Sequence, residues 1–141
     1  MNLRAGTPFW AVQSDSLGVY PPLTEDVECD VAVVGGGITG ALVARRLAVD
    51  GLRCVVLDKR DIGWGSTMAS TALLQYEIDV PLRELAEKIG FESASAAYRL
   101  CVGAVGIIER ITNELGNPCG FRRCRSLFLA READEAAYLG H

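Results

Sequence analysis

The sequence predicts an α/β fold built on one parallel β-α-β unit, and three observations lead to this prediction. A short apolar run, residues 31–34, leads directly into a glycine-rich turn, and such a run is expected to form a parallel strand buried on both faces. A helical pattern follows over residues 38–49, and a second apolar, β-rich run covers residues 53–58. Two parallel strands need a crossover of about a dozen residues or more, usually a helix. The three segments therefore fit a single unit.

The glycine-rich turn satisfies the pattern G-x-G-x-x-G and consists of Gly35, Gly36, Gly37, Ile38, Thr39 and Gly40. Gly35 permits a tight turn off the strand, Gly37 lets the backbone approach a pyrophosphate, and Gly40 lets the helix pack closely on the sheet. The first helical turn offers unpaired N–H groups and a partial positive charge to phosphate. In this context the motif predicts a Rossmann-like domain that binds FAD or NAD(P).

An acidic residue, Asp58, ends the second apolar run at about the distance from the glycines, roughly 20 residues, that this motif requires. Its carboxylate can accept hydrogen bonds from an adenosine ribose, and it repels a 2′-phosphate. NADP is therefore disfavoured although Lys59 and Arg60 follow. We include Lys59 among the expected cofactor-binding residues. NAD and FAD share the adenosine diphosphate half, so the motif alone does not separate them.

The segment after the second run is rich in glycine, serine and threonine, where an NAD enzyme usually has an ordinary loop. Small hydroxyl side chains here can bond a second stretch of phosphate or a ribityl chain. The expected cofactor contacts in this segment are Gly65, Ser66, Thr67, Ser70 and Thr71. The segment therefore favours FAD over NAD.

At these residues the chain resembles the N-terminal part of the D-amino acid oxidase/glycine oxidase superfamily of FAD-dependent oxidoreductases. The shared runs are VVGGGITGALVARRLA, VVLDK and GWGSTMASTALLQYEID. The upstream Phe9-Trp10 and Pro21-Pro22-Leu23 are similar to the leader of bacterial members. One departure is Asp58, since many members carry Glu, which is one methylene longer.

The resemblance implies a reaction and a set of roles. An amino acid or related amine, a CH–NH donor, would be oxidised to an imine by hydride transfer to the flavin, with oxygen or another acceptor reoxidising it. The three glycines of the motif would lie at the diphosphate and Asp58 at the ribose. Ser66 and Thr67 would lie near the pyrophosphate or the flavin, with residues 70–74 close by.

The family also implies a longer chain, because its members are more than twice the 141 residues present here. Residues 1–28 contain three prolines and no strong period, so we expect an extended N-terminal arm there, with Phe9, Trp10 and Tyr20 as aromatic anchors. An incomplete FAD-binding portion would cover residues 29–118. The start of a truncated substrate domain would follow over residues 119–141. Catalytic residues would lie in the missing part, so the chain would be inactive alone, and a second chain or self-association could complete the fold.

Four further elements are expected along the chain. A short helix around residues 66–76 would point its N-terminus at the cofactor, and Asp79 would cap a helix over residues 81–88. A longer helix would cover residues 93–115, and a strand over residues 126–130 would open the sheet of the substrate domain. An apolar stripe on the long helix would face the core through Ala97, Cys101, Val105, Ile108, Ile111 and Leu115.

Composition and charge narrow the function further. The net charge of −4 argues against nucleic acid as a partner. The five cysteines contain no C-x-x-C pair, and the one histidine is His141, so a metal site lacks ligands at usable spacing. No apolar run approaches bilayer length and no secretory signal is recognisable, so we expect a cytoplasmic protein.

The leading hypothesis is therefore the FAD-binding portion of an FAD-dependent oxidoreductase that acts on a small amine or amino acid. One alternative is the nucleotide domain of an NAD-dependent dehydrogenase, which the glycines and Asp58 fit but residues 63–74 do not. Another alternative is a non-catalytic dinucleotide-binding remnant, because half of a flavin site should bind its cofactor weakly.

Overall fold

A computed structural model describes residues 6–13, 18–127 and 129 of the chain. The chain divides into two compact units, Met1–Leu73 and Leu74–His141. The first unit contains α1 (Phe9–Gln13), β1 (Val31–Val34), α2 (Ile38–Val49) and β2 (Cys54–Leu57). The second contains α3 (Leu82–Ile89) and α4 (Phe91–Glu114). The domain boundaries expected at residues 28 and 118 stay predictions.

The predicted β-α-β unit is present, with β1 and β2 paired in parallel and α2 as the crossover. The register runs from Val31 opposite Cys54 to Val34 opposite Leu57. Just before the strands, Asp30 N–H donates to Arg53 O at 2.9 Å, and the Arg53 guanidinium pairs with the Asp30 carboxylate at 3.0 Å. The observed bounds match the expected runs to within one residue at each end.

Helix α2 begins and ends where the glycines predict. Gly37 is its N-cap residue and Asp50 its C-cap residue. Gly51 follows with a φ of 86°, the left-handed conformation that glycine adopts without strain. Its N–H donates to Ala48 O at 3.0 Å. The cap therefore satisfies one of the carbonyls that a helix C-terminus leaves unpaired.

The expectation that the first strand is buried on both faces is wrong. Val33 is 9% exposed, whereas its neighbour Val34 is 86% exposed. Side chains of successive strand residues point to opposite faces, so only one face of β1 is covered. The described part of the sheet has two strands, and no element packs on the second face there. Helix α2 is also covered on one side only, since Leu42 and Leu47 are half-buried whereas Val43 and Ala48 are exposed.

The N-terminal arm is not extended throughout, because its residues Phe9–Gln13 form α1. Of the three aromatic anchors expected in the arm, Trp10 is confirmed: its indole N–H donates to the carbonyl oxygen of Ser70 at 2.9 Å. The Phe9 ring packs edge-on against Trp10 with ring centroids 5.0 Å apart. Tyr20 is 66% exposed and anchors nothing by burial.

The helix expected around residues 66–76 is absent. Residues 61–70, termed the turn segment, form successive turns instead, closed by Ala69 N–H to Ser66 O at 3.2 Å and Ser70 N–H to Thr67 O at 3.3 Å. Ala72, inside the expected helix, has a φ of 56°, and Gly65, just before it, has a φ of 119°, and neither value fits a right-handed helix. The backbone of this segment is therefore held by single turns rather than by a helical ladder.

In the second unit, α3 and α4 pack on each other and meet at Gly90. Asp79 does not cap α3. The helix begins at Leu82, its N-cap residue is Pro81, and proline has no side-chain group that could accept a hydrogen bond. The Tyr98 hydroxyl donates to Val80 O at 3.0 Å and ties α4 to the residue before that cap.

The apolar stripe of α4 is partly covered along most of its length. Ala94 and Ser95 are buried, and five stripe residues are half-buried: Ala97, Cys101, Val105, Ile108 and Ile111. Leu115 is the exception, at 66% exposed. It lies at the C-cap position, beyond the last residue of the helix, where the chain turns at Gly116 with a φ of 77°.

The segment after α4 is a loop held by polar contacts. Asn117 accepts the Phe121 N–H at 2.6 Å through Oδ1 and donates to Phe121 O at 3.1 Å through Nδ2. Arg123 pairs with Glu109 of α4 at 2.6 Å. The strand expected over residues 126–130 is wrong for Ser126, Leu127 and Leu129, which lie outside any strand, and its other residues, Phe128 and Ala130, lie outside the described residues.

By length and composition alone, one helix in the described ranges, α4, is apolar enough to cross a membrane. The expectation that no apolar run approaches bilayer length therefore does not hold for α4 by this criterion. Core helices of soluble proteins pass the same test, so the observation is weak and no span is established.

Candidate cofactor site

The glycine-rich turn leaves β1 through a backbone conformation that only glycine adopts freely. Gly35 has a φ of 107°, and its N–H donates to Leu57 O of β2 at 2.7 Å. A Cβ on Gly40 would overlap the carbonyl oxygen of Gly35 and come within 3.4 Å of Val33. The first turn of α2 is therefore pressed onto the end of β1, as predicted for the third glycine of the motif.

The middle of the turn, Gly36, is buried and enclosed by side chains on two sides. A Cβ there would overlap Cδ1 of Ile62, and it would lie 3.6 Å from the Asp58 Cβ. The Gly36 carbonyl accepts the N–H of Gly63 at 2.8 Å. The turn segment thus closes over the glycine-rich turn from one side.

The Asp58 carboxylate is oriented by two backbone donors. Oδ2 accepts the Gly36 N–H at 2.7 Å, and Oδ1 accepts the Arg60 N–H at 2.9 Å. These hydrogen bonds, the Gly36 bond first, hold the pKa of Asp58 below its ordinary value, and the nearby charges of Arg60 and Lys59 add to the effect. The group is therefore ionised at neutral pH, and each oxygen keeps a lone pair for a further donor.

The N-terminus of α2 is partly capped from outside the helix. The Ile38 N–H donates to the Thr67 hydroxyl oxygen at 3.0 Å, and the Ala41 N–H closes the first turn on Gly37 O at 2.9 Å. Within the described part of the chain, the N–H groups of Thr39 and Gly40 have no hydrogen-bond acceptor. Donors of this kind, together with the helix dipole, favour an anion at this end.

An open cleft of about 410 Å³ lies directly in front of these groups. Seven of the expected cofactor-binding residues line it: Gly35, Gly37, Ile38, Thr39, Gly40, Ser66 and Thr67. A Cβ on Gly37 would sit 3.1 Å from the Thr67 hydroxyl oxygen and narrow the cleft at its centre. The cleft therefore depends on glycine at this position.

The other expected site residues lie outside the lining. Gly36, in the middle of the glycine-rich turn, and Asp58 are joined by their hydrogen bond, and Gly65, with a φ of 119°, lies within the turn segment. Lys59 and Thr71 are exposed. Ser70 is held through its own carbonyl, which accepts from Trp10.

Sequence reasoning missed several residues that shape the cleft. Val33, Val34 and Val43 line it, although their apolar pattern suggested only core packing. Ile62 covers Gly36, and Met68 is the large apolar residue of the turn segment that is buried, at 5% exposed. The available signal was the presence of two large apolar side chains in a segment otherwise rich in glycine and hydroxyl residues.

A glycine-rich turn on a parallel β-α-β unit, with an anion-favouring cleft and an oriented acid behind it, defines a dinucleotide-binding class of protein. Within that class, the family described as FAD dependent oxidoreductase (DAO) matches residues 30–140. The chain belongs to this family, whose cofactor is FAD. The resemblance stated from the motifs is thereby confirmed.

The curated relatives include oxidoreductases and an iron-sulfur protein. A protein of Bacillus subtilis named as a Rieske 2Fe-2S iron-sulfur protein is 33% identical over 79% of this chain and 22% of its own length. Gamma-glutamylputrescine oxidoreductase of Escherichia coli is 29% identical over 93% of this chain and 30% of its own length. A component of the anaerobic glycerol-3-phosphate dehydrogenase of Haemophilus influenzae is 39% identical over 41% of this chain and 11% of its own length.

The chain thus spans less than a third of the length of these relatives. No solved structure matches the chain.

The residues present fit the diphosphate half of FAD. Glycines leave room where a Cβ would narrow the cleft or overlap the backbone, and helix N–H groups face the space. Two hydroxyl side chains, Ser66 and Thr67, border the same space. The cleft is lined by uncharged residues and the N-terminus of α2, and the Asp58 carboxylate lies outside the lining, an arrangement that suits a diphosphate joined to a ribose.

Proposed function

We propose that this chain supplies the FAD-binding part of an FAD-dependent oxidoreductase that oxidises an amine or amino acid. The observation that carries the proposal is the convergence of the α2 N-terminus and the hydroxyls of Ser66 and Thr67 on one cleft. FAD is longer than an isolated phosphate and needs polar contacts on both sides of its diphosphate. The turn segment provides the second side.

Each part of the chain has a defined task in this proposal. The N–H groups of Thr39 and Gly40 donate to the diphosphate, and Asp58 accepts from the adenosine ribose through the lone pairs that Gly36 and Arg60 leave unused. Ser66 donates to the far side of the diphosphate or to the ribityl chain. When bound, FAD supplies the hydride acceptor, and these residues supply orientation and electrostatics.

The substrate class is proposed from the resemblance and from one relative. The name of gamma-glutamylputrescine oxidoreductase refers to an amine, and the match to this relative covers 93% of this chain. The relatives named glycerol-3-phosphate dehydrogenase favour a second candidate, oxidation of a CH–OH donor. Anaerobic loss of flavin absorbance on adding an amine or glycerol 3-phosphate to the flavin-loaded protein distinguishes the two.

We place the protein in the cytoplasm, with a second chain or self-association completing the site.

The cofactor assignment is tested by changing the two hydroxyls together. The Ser66→Ala/Thr67→Ala double variant keeps the glycine-rich turn and Asp58, so NAD affinity should be unchanged. FAD affinity should fall by about tenfold or more, since two polar contacts of roughly 0.5–1.5 kcal/mol each are lost. Equal losses for both cofactors, or a preference of the unaltered protein for NAD, would show the assignment to be wrong.

A further inference from the structure

Helix α1 is joined to the cofactor side of its unit by a contact between residues far apart in sequence. The Trp10 indole N–H donates to the Ser70 carbonyl oxygen at 2.9 Å. Trp10 is half-buried, whereas the adjoining Phe9 ring, packed edge-on against it, is 65% exposed. The tryptophan is thus the aromatic residue of α1 that turns inward.

Ser70 is the last residue of the turn segment, and this segment has little internal support. Its own backbone bonds close single turns, Ser66 to Ala69 and Thr67 to Ser70. It touches the glycine-rich turn through Gly63 N–H to Gly36 O at 2.8 Å and through the Thr67 hydroxyl at 3.0 Å from the Ile38 nitrogen. A segment without a helical ladder depends on ties of this kind, together with the burial of Met68, to keep its position.

The ties lie at different places along the segment. The chain connection to β2 and the Gly63 bond hold its first residues, and the Trp10 bond holds its last residue. Thr67, whose hydroxyl lines the cleft, lies between the two. Loss of the bond to Ser70 would therefore loosen the end of the segment that carries Ser66 and Thr67, which would then be held by the Thr67–Ile38 bond and the buried Met68 alone.

We infer that Trp10 is a positioning residue for the cofactor site, acting by holding the turn segment against the N-terminus of α2. It does not line the cleft and works through the Ser70 carbonyl alone. The inference rests on the proposed function in so far as the ligand is FAD. The restraint on the turn segment itself is a property of the protein without ligand.

The restraint is tested first in the free protein by amide hydrogen exchange. Trp10→Phe keeps an aromatic ring and removes the donor, so the amides of Ile38 and Ser70 should exchange about three- to tenfold faster, the factor expected for one net hydrogen bond. Tyr20→Phe, a change at an exposed aromatic of the same arm, should leave both rates unchanged. Unchanged rates in Trp10→Phe would overturn the inference.

The effect on the cofactor is tested by FAD binding kinetics. In Trp10→Phe, dissociation of FAD should be about three- to tenfold faster with an unchanged association rate. The reason is that the Thr67 hydroxyl would no longer be held in place beside the bound diphosphate. Gly90→Ala serves as the control for general destabilisation, because it strains the joint between α3 and α4 and leaves the arm intact. It should not change the dissociation rate.

Equal dissociation rates for Trp10→Phe and the unaltered protein, or an equal increase in Gly90→Ala, would refute the positioning role. If the unaltered protein binds no FAD, the proposed function fails, and the exchange rates still decide whether Trp10 holds the turn segment.

Discussion

Gly40 has the least room for a side chain of any glycine in the cofactor site, because its Cβ position coincides with the Gly35 carbonyl oxygen. Gly40→Ala would force α2 away from β1, at a cost of about 1–3 kcal/mol in the free energy of unfolding, as for other overpacked sites. The displaced N–H groups should also abolish FAD binding. Urea denaturation and a flavin titration measure the two effects.

Gly103 provides the matched control for this substitution. It lies within α4, and a Cβ there meets nothing within 4 Å. Gly103→Ala should therefore stabilise the protein by about 0.5–1 kcal/mol through lower entropy of the unfolded chain. If Gly40→Ala lowered the free energy of unfolding by no more than the size of the change in Gly103→Ala, this result would contradict the close packing described for the glycine-rich turn.

Asp58 makes the glycine-rich turn sensitive to acid. Its pKa is lowered in the folded protein by hydrogen bonds from Gly36 and Arg60. A lowered native pKa stabilises the fold above the ordinary value of about 3.9 and loses that contribution as pH falls through the native pKa. Asp58→Asn should therefore lose part of the acid dependence of stability below about pH 4.

The measurement is unfolding by urea at several pH values, together with an NMR titration of the Asp58 carboxyl group. Glu25→Gln is a suitable control because that carboxylate is exposed and the change removes a charge from the arm. A native pKa of Asp58 at or above the ordinary value would contradict the two hydrogen bonds.

At the scale of elements, Gly90 sets the angle between α3 and α4. Its φ of 84° and ψ of 150° lie in a region that is essentially restricted to glycine. No atom lies within 4 Å of a Cβ there, so Gly90→Ala adds backbone strain without a clash. We expect a loss of about 1–3 kcal/mol in the free energy of unfolding, measured by urea denaturation. A neutral effect would mean that the two helices do not depend on this joint.

The elements that sequence predicted best are those whose determinants are local. The bounds of α2 match because Gly37 starts it and Gly51 ends it, and β1 and β2 are short apolar runs bounded by turn residues. The sequence predicts a helix over residues 66–76 from small and hydroxyl residues that suit a helix start, but the turn segment, residues 61–70, forms successive turns. Its conformation depends instead on Gly63 and Gly65 at positive φ and on bonds to Gly36 and Trp10.

The cofactor site was likewise predictable where its determinants are local and not where they are distant in sequence. The glycines and the hydroxyls of Ser66 and Thr67 were predictable from one motif and one composition bias, and the structure brings them to one cleft. Ile62 and Trp10 were not predictable as parts of the site. Their roles rest on contacts across 26 and 60 residues of chain, the Ile62 position against Gly36 and the Trp10 bond to Ser70, and no local pattern specifies such pairs.

At the scale of the whole molecule, α4 leaves much apolar surface in contact with solvent. Phe91, Leu100, Val102 and Ile107 are 69%, 73%, 49% and 51% exposed. Surfaces of this kind promote association. We expect concentration-dependent self-association by light scattering, and Leu100→Glu should reduce it. A monomer at all concentrations would contradict this prediction.

The central claim is that the cleft at the N-terminus of α2 binds FAD, and a flavin-fluorescence titration of the purified protein tests it most directly. NAD serves as competitor and Gly37→Val as control, because a larger side chain there would push into the Thr67 hydroxyl and fill the cleft. We expect saturable FAD binding that NAD does not displace and that Gly37→Val abolishes. A folded protein that binds no FAD, or binds it equally well with Gly37→Val, would contradict it.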